Sequence, residues 1–176
     1  ARTAAVAIQS DWSRAVARSV CAPQCRGEAK ELAWQEGLAA ALAIADERYR
    51  AVALSALAPQ LSGSLLQEAL TAALAIANEW SRAAILGALA PQLSGPLLQE
   101  ALPAALAIQS EWTRAGALSA LAPQLSGEPQ ERALHEGLAA ALAIADERYR
   151  GVSLKALAPE MREEQVQGAV PEEMGR

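Results

Sequence analysis

The sequence predicts an all-α fold, an α-solenoid of about five antiparallel helical hairpins. Three observations lead there. Of 176 residues, 44 are alanine and 25 leucine, with no phenylalanine and only 6 aromatics. That bias favours helices with small side chains over the β-branched and aromatic residues of strands. An Ala-Ile pair followed by a polar turn and an acid recurs at Ile8, Ile44, Ile76, Ile108 and Ile144, spaced 36, 32, 32 and 36 residues apart. Fifteen residues after each isoleucine stands a proline, at Pro23, Pro59, Pro91, Pro123 and Pro159. Periods of this length belong to stacked helical hairpins, none of which can hide its apolar face alone.

A longer period lies over the short one. Residues 36–50 reappear unchanged at 136–150, a shift of 100 residues that comprises one long hairpin and two short ones. Recent duplication and deliberate construction both account for such fidelity. The units fall near 1–25, 26–61, 62–93, 94–125 and 126–161, with a polar capping helix at 162–170 and a frayed tail at 171–176. All of 1–170 reads as one helical-repeat domain. Residues 1–8 supply only the last part of a first helix, so a longer array trimmed at its N-terminus is expected.

Within each unit two helices, A then B, are expected. Helix A carries Leu66, Leu70, Leu74 and Ile76 in one short unit and Leu98, Leu102, Leu106 and Ile108 in the next, a helical spacing. Gly63, Gly95 and Gly127 fit the connection before it, and Pro96 fits a first helical position. The two long units insert four residues there, about one extra turn. Pro103 lies inside a helix A, which either kinks there or starts later than its neighbours; the kink is expected. Helix B opens with Ser10, Asp46, Asn78, Ser110 or Asp146, all side chains able to accept first-turn amides. An acid follows each, at Asp11, Glu47, Glu79, Glu111 and Glu147, where the helix dipole favours it. Ala51, Leu54, Leu57, Ala58 and Leu61 form its apolar stripe.

The helix-B phrase from Asp46 to Ala58, with its acid, arginine, alanine and leucine in order, resembles the second helix of HEAT-like repeats. The period and the proline after helix B resemble tetratricopeptide repeats, although the Trp, Leu-Gly and Tyr signature of their first helix is absent. Either resemblance implies a binding or scaffolding surface rather than a catalyst.

Several function classes are excluded by simple arithmetic. Hydrophobic residues reach 52% against 20% charged, too apolar for a disordered tail. The longest apolar run, Gly37 to Ala45, is too short to cross a bilayer. A net charge of −5 with interspersed signs argues against a nucleic-acid surface. Phosphate-binding, dinucleotide and zinc-protease motifs are absent, and the one histidine, His135, sits in a repeated structural pattern. Cys21 and Cys25 replace core leucines and lack the partners of a zinc site. So neither enzyme activity, a cofactor nor a metal is expected, and sparse cysteine fits the cytoplasm.

Two rows of residues remain as candidates. Arg14, Arg50, Arg82, Arg114 and Arg150 lie three residues after the helix-B acid. They read as a structural ladder, with Glu36, Glu68, Glu100 and Glu136 of helix A offered as further carboxylate partners. Trp12, Tyr49, Trp80, Trp112 and Tyr149 near the start of helix B either pack on the end of helix A or form a ligand-facing row. Trp34, at a leucine position of helix A, is expected in the core. The function expected is a non-catalytic protein-interaction or scaffolding module with a protein or peptide partner. A structural spacer or self-assembling or designed array is the alternative. An uncovered N-terminal unit, exposing Val16, Val20 and Cys21, would favour a homodimer through that end.

Overall fold

The computed structural model describes residues 28–161. Over that span eight α-helices form four successive hairpins, with no strand among the described residues. The helices A are α1 (Glu28–Leu42), α3 (Gly63–Leu74), α5 (Pro96–Leu106) and α7 (Glu128–Ala143). The helices B are α2 (Glu47–Leu57), α4 (Glu79–Leu89), α6 (Glu111–Leu121) and α8 (Glu147–Leu157). The fold is therefore an all-α solenoid. Ser10, Trp12, Arg14, the cysteines, the expected dimer surface at Val16 and Val20, and the capping helix and tail lie outside the described residues.

Each helix B starts where its cap residue places it. Asp46 accepts the amides of Arg48 and Tyr49 through Oδ1 at 2.9 and 3.2 Å, and Asp146 does the same for Arg148 and Tyr149. Asn78 accepts from the Ser81 amide at 2.9 Å and Ser110 from the Thr113 amide at 3.4 Å. Such bonds satisfy first-turn amides that lack an intrahelical partner. At the other end the proline does not break the chain abruptly. Each helix B tightens into one 3₁₀ turn, Ala58–Gln60, Ala90–Gln92, Ala122–Gln124 and Ala158–Glu160, with proline as its second residue. The chain then extends and enters the next helix A through Gly63, Gly95 or Gly127, all at φ between 50° and 63°. Only glycine takes that backbone readily.

The four extra residues of the long units lengthen helix A itself: α1 and α7 have 15 and 16 residues, against 12 and 11 for α3 and α5. Pro103 sits inside α5, which stays α-helical through it and does not start late. The ring is exposed, so the carbonyl one turn earlier, robbed of its donor, lies at a surface where water can reach it.

Packing follows the apolar stripe. Leu54, Leu57, Leu86, Leu89, Leu118, Leu121 and Leu157 are completely buried, each worth roughly 1.5–3 kcal/mol relative to exposure. Successive helices B pack closely along their length, while successive helices A meet more sparsely. Small residues permit this: a Cβ on Gly87 would lie 3.7 Å from the Ala120 Cβ. The helix-B layer is thus the more closely packed side of the stack. At the last hairpin α7 nests deeply against α6. Gly137 makes room there, since a Cβ would stand 3.1 Å from Leu157 Cδ2 and 3.4 Å from Leu118 Cβ.

Candidate interaction surface

The arginine row turns inward to the loops rather than across to the helix-A acids. Nη1 of Arg50, Arg82, Arg114 and Arg150 donates to the carbonyl of Ile44, Ile76, Ile108 and Ile144 at 2.9, 2.8, 2.7 and 3.1 Å. Each guanidinium thereby fastens the turn between helices A and B of its own unit. The expected partners Glu68, Glu100 and Glu136 make no ion pair with this row among the described residues; they lie exposed on helix A, away from the loop carbonyls that hold the arginine heads. The carboxylates that do approach are on helix B: Glu47, Glu79 and Glu147 stand 3.9, 3.9 and 3.6 Å from Arg50, Arg82 and Arg150.

Two of those acids do something the sequence reading missed. Glu47 reaches into the following unit and accepts the amides of Ala77 and Asn78 at 3.2 and 2.9 Å. Glu79 repeats this with Gln109 and Ser110 at 2.9 and 3.2 Å. Each carboxylate thus clasps the backbone at the cap of the next helix B. The Asn78 and Ala77 amides, with help from Arg50, hold the Glu47 carboxyl below its ordinary value; the Gln109 and Ser110 amides do the same for Glu79. Glu111 makes no such bond to the unit that follows. The signal was in the cap: Asn78 and Ser110 are neutral, whereas the cap beyond Glu111 is Asp146. A second carboxylate on that amide would be pushed against the first.

The described members of the aromatic row lie on the helix-B side. Tyr49, Trp80, Trp112 and Tyr149 are 53, 51, 44 and 52% exposed. Trp34 is buried in the core. Trp112 and Tyr149 meet with ring centroids 5.4 Å apart and planes tilted by 57°, a favourable aromatic geometry. Below them runs a groove of about 360 Å³ that crosses α4, α6 and α8. Trp80 and Trp112 wall it, Gly87 and Gly116 deepen its floor, and Val152 and Ala156 close its far side. Its lining is almost wholly apolar. Neither glycine was singled out in the sequence, because an open floor is defined by what neighbouring helices lack.

A second cavity, about 600 Å³, opens on the helix-A side between α5 and α7, where Leu102, Pro103, Gln124 and Arg132 meet. Its mixed polar lining marks it as a cleft between splayed helices. Among the described residues no group of three or more His, Cys, Asp or Glu is placed to hold a metal ion. No described helix is long and apolar enough to cross a membrane.

No family model matches the sequence. Neither a curated protein nor a solved structure is similar to it at a significant level.

Proposed function

We propose that this chain is a non-catalytic interaction module, HEAT-like in its helix B, that receives a protein or peptide partner on its helix-B face, in the cytoplasm. The observation that carries the reading is the apolar groove walled by two half-exposed tryptophans. An exposed tryptophan gains most by being covered, and interface hot spots are enriched in this residue. The groove falls within the size range of pockets that bind ligands. The arginine and glutamate side chains at the A–B turns are engaged with backbone groups, which supports a fixed scaffold carrying a separate recognition face.

The test is affinity capture from lysate with the full chain and with a Trp80→Ala/Trp112→Ala variant. Proteins retained by the first and lost by the second support the reading; identical captures by both contradict it. A self-assembling spacer is the second reading, favoured by the verbatim repetition of 36–50 at 136–150, since a specific face ordinarily diversifies between units. A single 18.4 kDa species at all concentrations in sedimentation equilibrium removes self-assembly.

A further inference from the structure

We infer that the segment held in this groove crosses the helix-B layer in extended form, apolar in its middle and carrying carboxylates at both flanks, which Arg48 and Arg148 receive. The inference rests on the interaction reading above and adds the chemistry of the partner.

Direction and conformation come from the groove. It spans three successive helices B rather than running along one. Its floor is made of small side chains, Ala83, Ala84, Gly87 and Gly116, and it runs across the helix axes rather than parallel to them. An extended backbone, whose alternate side chains can drop onto Gly87 and Gly116, fits it.

Charge comes from the rows on the helix-B face. At equivalent positions of α2, α4, α6 and α8 stand Arg48, Trp80, Trp112 and Arg148. One turn on stand Val52, Ala84, Gly116 and Val152, and a further turn on Ala56, Ala88, Ala120 and Ala156. Between these last two rows lie Ser55, Gly87, Ser119 and Lys155. No acid occupies any of these positions; the charges are Arg48, Arg148 and Lys155, all exposed. Among the described residues these three cations make no side-chain hydrogen bond or ion pair, in contrast to Arg50, Arg82, Arg114 and Arg150. The acids at the adjoining rim are largely engaged, Glu47 and Glu79 by the next unit's amides and Glu147 by Arg150; Glu111 stays open. In a chain of net charge −5, Arg148 thus stands one turn before Val152 at the α8 side of the groove, and Arg48 stands in the same row on α2, one helix beyond its α4 side. Three steps between helices 8–10 Å apart put Arg48 and Arg148 roughly 24–30 Å from each other. That is roughly seven to nine residues of extended chain.

The test uses three fluorescein-labelled peptides of about thirteen residues with one Ala/Leu/Val centre and pairs of Asp, Ser or Lys at both ends. Anisotropy is read with the full chain at 50 and 300 mM NaCl. The Asp-flanked peptide is expected to bind at least tenfold more tightly than the Lys-flanked one, with the gap narrowing at the higher salt. Arg48→Gln/Arg148→Gln should bring the peptides toward parity, and Arg48→Glu/Arg148→Glu should reverse the order. Trp80→Ala/Trp112→Ala should weaken all three. Equal affinities for Asp- and Lys-flanked peptides would overturn the acidic flanks and leave the interaction reading standing. An Asp preference that survives both arginine variants places charge recognition elsewhere and overturns the assignment. If none of the peptides binds, the inference fails; if affinity capture also shows no dependence on Trp80 and Trp112, the interaction reading fails with it.

Discussion

The junction between α4 and α6 and the junction between α6 and α8 are built from nearly the same residues and fastened differently. At the first, Glu79 spans the gap and holds two amides at the cap of α6. At the second, Glu111 is exposed and the cap of α8 is Asp146. The apolar seams beneath are alike, Leu86 and Leu89 matching Leu118 and Leu121 in complete burial. The second junction instead gains a longer helix A, with α7 pressed against α6 through Gly137. The comparison separates two ways of joining repeats: an ionic clasp on backbone amides, permitted by a neutral cap, and closer apolar nesting, permitted by a glycine.

The apolar seam should dominate both junctions. Leu86→Ala and Leu118→Ala should each cost about 2–5 kcal/mol in denaturant unfolding, through lost burial and the cavity left behind. A loss below about 1 kcal/mol at Leu118 would mean that the second junction is not packed as described. Gly137→Val should act only at the second junction, destabilising by about 1–3 kcal/mol through overpacking against Leu118 and Leu157.

The clasp gives a smaller, pH-dependent effect. Glu79→Gln should lower Tm at neutral pH, whereas Glu111→Gln should leave it unchanged. Because the folded-state pKa of Glu79 is depressed from its ordinary 4.5, its contribution is fully present above that value. It fades as pH falls through the folded pKa, below which both states bind the proton. The Tm gap between the chain and Glu79→Gln should therefore close in acid. A gap that persists well below the depressed pKa would show that the side chain stabilises by packing rather than by charge.

The smallest effect sharpens the comparison most. Asp146→Asn removes the acid from the second cap while keeping its capping oxygen. A slight rise in Tm that vanishes when Glu111→Gln is added would show that cap charge alone keeps that clasp open. No rise would assign the difference to the extra turn of α7.

Much of this architecture could be read from the sequence, for physical reasons that stop at identifiable residues. Cap residues such as Asp46 and Ser110, the proline turns and the leucine stripe act within one unit, so a one-dimensional reading reaches them. Arg82 was read by spacing as part of a ladder with carboxylates, whereas its acceptor at 2.8 Å, the Ile76 carbonyl, is backbone and leaves no mark in side-chain identities. Glu79 was read with Arg82, its neighbour in sequence, while its strongest partners lie 30 and 31 residues on. The groove was half legible: Trp80 and Trp112 announced it, but its floor at Gly87 and Gly116 exists only once three helices are side by side.

The central claim is that the helix-B layer is the recognition face. Amide hydrogen exchange followed by mass spectrometry, on the full chain with and without a saturating Asp-flanked peptide, tests it directly. Added protection should be confined to α2, α4, α6 and α8, strongest around Trp80 to Gly87, Trp112 to Gly116 and Arg148 to Val152, with α3 and α5 unchanged. Protection centred on α5 and α7 around Pro103 and Arg132, with the helix-B layer unaffected, would contradict it.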